Sequence, residues 1–146
     1  MFAARAGPGS GEARRDTVDR AACALFADAA GVRRFVVVSA MGADREPLAG
    51  TDLVFAAYLR ANGAADADVR GRAGLDWTIL RPGHLTDGPG AGTVALTAST
   101  GRGAVPRDDV AAVIAALLNE PRTAGQTLEL ISGAVQVAGA VANAAS

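Results

Sequence analysis

Leu75-Asp76-Trp77-Thr78-Ile79-Leu80-Arg81-Pro82-Gly83-His84-Leu85-Thr86 is an apolar run that breaks abruptly into a Pro-Gly loop. A short apolar segment rich in β-branched and aromatic side chains reads as a strand, and proline followed by glycine ends it. The run therefore predicts a buried strand over Asp76 to Leu80. In open α/β sheets ligands sit outside the carboxyl ends of such strands, which makes Pro82-Gly83-His84-Leu85 a candidate binding edge.

The segments around this strand carry the same architecture outward. Phe35-Val36-Val37-Val38-Ser39 is a continuous β-branched run without alternation, so both of its faces should be buried, as in a parallel sheet covered by helices. Between the two strands, Val54, Ala57, Tyr58, Ala61, Ala65 and Val69 share one side of a helix from about Thr51 to Arg70, in which Gly63 costs roughly 1 kcal/mol relative to alanine. Upstream, Val18, Ala21, Ala22, Leu25, Phe26 and Ala29 recur at helical spacing and predict an amphipathic helix from Arg14 to Ala30, stopped by Gly31. Met1-Phe2-Ala3-Ala4 resembles the tail of a strand and leads into a loop over Gly7 to Gly11. Downstream come a long glycine-rich loop with a short strand near Thr93 to Leu96 and a helix opened by Pro106, Asp108 and Asp109. That helix has the apolar face Val110, Val113, Ile114, Leu117 and Leu118. A strand over Thr127 to Ile131 and a terminal helix from Val135 to Ala144 complete the chain. Strands alternating with helices call for right-handed crossovers and a parallel sheet in a single domain, residues 1–146.

Composition removes several function classes. Of the 146 residues half are apolar, enough for the core of one domain, and the 14 basic and 15 acidic residues nearly cancel. No block of like charge gives an electrostatic footprint for nucleic acid or an anionic membrane. A single Cys, Cys23, and a single His, His84, exclude an internal disulfide, a cysteine zinc cluster and a multi-histidine metal site. No apolar stretch reaches the roughly 20 residues that span a bilayer, and no export signal opens the chain. The expected setting is the reducing cytoplasm. All 14 basic residues are arginine; lysine is absent.

Three stretches then act together: Gly31-Val32-Arg33-Arg34-Phe35-Val36-Val37-Val38-Ser39-Ala40-Met41-Gly42-Ala43, Tyr58-Leu59-Arg60-Ala61-Asn62, and Leu75 to Gly83. In order and spacing they resemble the NAD(P)H-binding atypical short-chain dehydrogenase/reductase family, over Met1 to about Gly133. The resemblance implies a partial Rossmann-like α/β fold, a parallel sheet flanked by helices that forms the second half of a doubly wound domain. Met1 to Gly11 would be its fourth strand and following loop. No G-x-G-x-x-G and no G-x-x-x-x-G-K-[ST] occurs, so the expectation is an N-terminally truncated chain without the first βαβ units and their phosphate loop, roughly 70 residues.

The family's chemistry, by resemblance, uses a tyrosine that exchanges a proton with the substrate oxygen, a lysine four residues later that assists it, and an orienting serine. A free phenol titrates near 10, so it needs such help at neutral pH. Tyr58 stands at the tyrosine position, Asn62 replaces the lysine, and Ser39-Ala40 stands for the usual pair of serines. The implied cofactor is NADP or NAD, held by Ala3, Ala4, Ser39, Pro82, Gly83, His84 and Leu85, beside a small-molecule substrate that the sequence does not identify. Plainer roles stand beside these: Tyr58 in helix packing, Ser39 in strand-end hydrogen bonding, His84 solvated, Cys23 a small buried hydrophobe, Trp77 in the core. The function implied is that of an NAD(P)H-binding, reductase-like protein with impaired or no hydride transfer. The alternatives are a non-catalytic nucleotide-sensing or protein-interaction module, or a remnant without selected activity. An open edge at Met1 to Ala4 would further invite pairing into a homodimer.

Overall fold

The computed structural model describes residues 1–146 apart from Arg5, Pro8 and Ala30. In chain order the elements are α1 (Glu12–Arg15), a π-helical stretch (Asp16–Ala21), α2 (Ala22–Ala29), β1 (Arg34–Val38), α3 (Leu53–Arg70), β2 (Asp76–Pro82), β3 (His84–Thr86), β4 (Thr93–Thr97), β5 (Ala104–Pro106), α4 (Arg107–Leu118), a 3-10 turn (Pro121–Thr123), β6 (Gln126–Ser132), β7 (Val135–Gln136) and α5 (Val137–Ala144). Ala30, the expected end of the first helix, and Pro8, inside the expected Gly7 to Gly11 loop, lie outside the described residues.

The β-branched run and the Leu75 segment pair as expected. β1 and β2 are parallel, with Arg34 opposite Asp76 and Val38 opposite Leu80, and β6 continues the sheet in parallel on the far side of β2. Phe2 adds a rung outside β1: its amide donates to the Val36 carbonyl at 2.9 Å and its carbonyl accepts from Val38 at 3.0 Å. The strands lack alternation because each face meets a different core. Val36, Leu80, Leu128 and Leu130 pack with Val113 and Leu117 of α4 and Val141 of α5. On the other face Phe35, Val37 and Ile79 pack with Phe2, Cys23, Ala65 and Val69.

Four expectations need correction. The sheet, ordered β1-β2-β6-β4-β7, is mostly rather than wholly parallel, because β4 runs antiparallel to β6 and β7. Alongside β4 the chain passes from β6 to β7 through Gly133, where a Cβ would collide with the backbone of Val94 and Ala95. For the same reason the terminal helix starts two residues late: Val135 and Gln136 pair with β4 before α5 begins. The first helix buries a different face from the one its apolar spacing predicts. Leu25 and Phe26 are 68% and 42% exposed, while Arg15, Asp19 and Cys23 point inward. The π-helical turn between α1 and α2 holds more residues than an α-helical one and rotates the following side chains away from the 3.6-residue pattern. Finally, Gly63 is required rather than merely tolerated, because α3 passes so close to the loop after β1 that a Cβ would collide with the Ala43 carbonyl oxygen.

The loop between β3 and β4 is pinned at both ends. Asp109, 2% exposed at the start of α4, accepts from the amides of Ala91 at 3.0 Å and Gly92 at 2.8 Å, and Arg107 donates to Asp87 at 2.7 Å. Among the described residues no helix is long and apolar enough to cross a membrane.

Gly63→Ala separates helix propensity from close approach. Propensity alone would stabilise α3 by about 1 kcal/mol, whereas displacement of the Ala43 loop should cost about 1–3 kcal/mol. A urea midpoint below that of the wild type is the expected outcome; a rise would mean that the loop can move aside freely.

Candidate functional site

The carboxyl ends of β1 and β2 open onto one cleft. β1 leads through Ser39 to Ala40 and Met41, and β2 ends at Pro82 and turns through Gly83 into β3. β3 is held by β5, with His84 opposite Ala104 and the His84 amide donating to the Gly103 carbonyl at 2.9 Å. α3 brings Tyr58 across the opening. The result is a cavity of about 560 Å³ lined by Ala40, Met41, Phe55, Tyr58, Pro82, Gly83, His84, Leu85, Arg102, Gly103 and Arg107. An adjoining cavity of about 500 Å³ shares Met41, Phe55 and Arg102 with it and reaches Leu48, Thr51 and Glu129. Both volumes suit small-molecule sites.

Tyr58, Pro82, Gly83, His84 and Leu85 thus come together. Tyr58 is half-buried, with the Phe55 ring 5.9 Å from its own and the Arg15 guanidinium 5.6 Å from its centroid. His84 is exposed at the rim. Ala3 and Ala4, also exposed, line neither cavity. Asn62 is buried and turned onto its own helix, its Nδ2 donating to the Tyr58 carbonyl at 2.8 Å.

Ser39 lies beneath the cleft. Its hydroxyl donates to Asp66 Oδ2 at 2.9 Å, and Arg81 donates to the same oxygen at 2.8 Å. The other arm of Arg81 reaches Asp44 Oδ1 at 3.1 Å, in the loop after β1. Arg81 and Asp66 are 4% and 1% exposed, so the pair is desolvated. Burial pushes the Asp66 carboxyl above its ordinary range, against the opposing pull of Arg81 and Ser39. Burial also works against ionisation of Asp44, but there the Arg81 charge prevails and holds the carboxyl low.

A family model described as NAD(P)H-binding matches residues 1–121. The chain belongs to the NAD(P)H-binding family. Among proteins similar to it, a sugar epimerase of Bacillus subtilis, itself uncharacterised, is 37% identical over 125 residues, covering 85% of this chain and 57% of that protein. A Bacillus halodurans structure assigned as an NAD-dependent epimerase/dehydratase superposes with a TM-score of 0.85 at 31% identity, over 97% of this chain and 67% of that one. An anaerobillin reductase from Escherichia coli O157:H7 gives a TM-score of 0.68 at 29% identity, over 81% and 60% of the two chains. The chain spans little more than half the length of the curated relative.

Membership gives the chain its cofactor class. An aromatic and backbone-lined cleft with Tyr58 at its side suits a nicotinamide ring; the glycine-rich turn that cradles a pyrophosphate has no counterpart in the 146 residues. Sequence reasoning missed Asp66 and gave Arg81, read only as part of the loop into Pro82, no partner, although a signal was available. Asp66 sits between the buried positions Ala65 and Val69, and Arg81 stands inside an apolar strand; each is a charge that must find a partner if its segment is buried. Arg102 and Arg107 gave no such signal, because they reach the cleft only through the β3–β5 pairing.

Replacing Arg81 by methionine leaves the Asp66 carboxyl buried without its cation, and stability should fall by about 3–5 kcal/mol. Asp66→Asn in the same chain should recover part of that loss. Denaturant titration of the two variants checks it, and a single variant as stable as the wild type would show that the pair contributes nothing.

Proposed function

We propose that residues 1–146 act as one domain that binds NADP or NAD with the nicotinamide in the Tyr58 cleft, as a reductase-like protein with weak hydride transfer. The observation that carries this reading is the convergence of Tyr58 and the Pro82 to Leu85 loop on one cavity at the carboxyl edge of a parallel sheet. The dinucleotide, when bound, supplies a hydride. The chain's own residues do the rest. Pro82, Gly83 and Leu85 wall the ring site, the Tyr58 phenol gives a proton to the substrate oxygen or takes one from it, and Ser39, held by Asp66, supports the floor without entering the cleft. The adjoining cavity offers room for the substrate, a small molecule whose carbonyl or hydroxyl oxygen must reach Tyr58. Transfer is weak on this reading because Asn62, whose Nδ2 is taken up by the Tyr58 carbonyl, does not contact both phenol and ribose as the family's lysine does by resemblance.

Calorimetric titration with NADPH and NADH tests the binding, and Tyr58→Phe tests the chemistry. The variant should bind within about twofold of the wild type while any turnover drops by about 100-fold or more, the usual contribution of a positioned acid or base. Failure of both dinucleotides to bind would remove the proposal.

One observation favours the second reading, a protein-interaction module that pairs with itself. Among the described residues Phe2 pairs with β1 alone, Met1 is 49% exposed beside it, and the Phe26 ring, 42% exposed, lies 5.9 Å from that of Phe2. An open strand edge flanked by apolar surface invites a second copy. Elution should then shift toward dimer size with concentration and return to monomer size in Phe26→Asp; monomer elution at every concentration would exclude the dimer.

A further inference from the structure

Proton transfer by Tyr58 at neutral pH needs a positive charge close by, since an unassisted phenol titrates near 10. The chain has no lysine to provide one, and Asn62 is neutral. A cation nevertheless lies against the ring from another helix. Arg15, the last residue of α1, holds its guanidinium carbon 5.6 Å from the Tyr58 ring centroid. It is 8% exposed, its Nε has no hydrogen-bond partner among the described residues, and its nearest paired carboxylate oxygen, on Asp19, is 3.9 Å from Nη1. Asp19 is itself fully buried and engages the Ala6 amide through its other oxygen at 2.7 Å. A surface arginine satisfies its donors with water; one buried with an unmet donor keeps a charge that its surroundings only partly neutralise.

The local fold puts it there. The π-helical stretch begins at Asp16, directly after Arg15, and the helix turns Arg15 and Asp19 inward where its apolar spacing would have turned Leu25 and Phe26. Stretches of this kind recur at functional sites.

We propose that Arg15 supplies, from a separate helix, the positive charge that the family resemblance assigns to position 62, and stabilises Tyr58 as a phenolate during proton transfer. The inference rests on the reading of Tyr58 as the proton-transfer group. The proton passes between the Tyr58 hydroxyl and the substrate oxygen; Arg15 neither gains nor loses one, because a guanidinium stays charged. It is a positioning residue, acting through Tyr58. Charged or titratable groups also face Tyr58 from other elements: Asp19 behind Arg15, His84 of β3, Arg102 before β5 and Arg107 of α4.

Tyr58 is the one tyrosine in the chain. Tyrosinate absorbance in an alkaline titration therefore reports it alone, with no cofactor, substrate or turnover. Arg15→Met should move the midpoint upward, since it removes a positive charge lying against the ring. Arg15→Lys should leave it close to the wild type, and Asn62→Lys added to Arg15→Met should bring it back down. Asp19→Asn, which keeps an acceptor for Ala6 and removes the opposing charge, should move it down. Circular dichroism shows which variants fold. An unmoved midpoint in folded Arg15→Met overturns the proposal; if that variant does not fold, an unmoved midpoint in Asp19→Asn does so. Because the titration needs no dinucleotide, its result is independent of whether NADPH binds.

Discussion

A guanidinium inside an apolar strand has to be neutralised where it stands. Arg81 meets that demand by reaching two carboxylates on two other segments, Asp66 on α3 and Asp44 in the loop after β1. The contact thereby fixes where α3 crosses the sheet and how the segment from Ser39 to Ala43 leaves it. Ser39 joins the same carboxylate, and Gly63 lets α3 close onto that loop. The cleft is the space left above this assembly. Its shape depends on a desolvated ion pair whose members would each be costly alone.

The opposite end of the sheet is closed by a similar device. Arg34 donates to the Asp76 carbonyl and Thr78 hydroxyl on β2, to the Leu117 carbonyl at the end of α4, and to Thr123 in the 3-10 turn. One side chain thus satisfies a helix carboxyl terminus and aligns two parallel strands. The desolvation that accompanies this lowers the affinity of Arg34 for its proton. Arginines thus tie both ends of β1 and β2, and the loops of the cleft leave from the carboxyl edge.

What could be read from residues alone follows from which patterns are local. The β-branched run of β1, the apolar face of α4 and the Pro-Gly break after β2 declare themselves within a few residues, so the α/β layering and the binding edge were legible. The antiparallel pairing of β4 was not, since its partners in β6 and β7 lie far along the chain. Nor was the inner face of the first helix: a π-helical turn shifts the period on which amphipathic reading depends. At the site, Tyr58 and the loop Pro82 to Leu85 were named from family likeness, while the buried charges that organise them show only as anomalies in apolar segments. Arg15 is the clearest case, because a charge beside Arg14 near a helix start reads as a solvated side chain until the chain is folded.

The loop between β3 and β4 holds Gly88, Gly90 and Gly92, a composition that ordinarily implies many accessible conformations. Here the Asp109 carboxylate takes two successive amides of that loop, and Arg107 holds Asp87 at its start. The disorder that such a segment would lose on meeting a ligand has therefore been surrendered during folding. β3, whose His84 and Leu85 line the cleft, therefore runs on into a segment already set, and ordering that segment adds no entropic cost to the arrival of a guest.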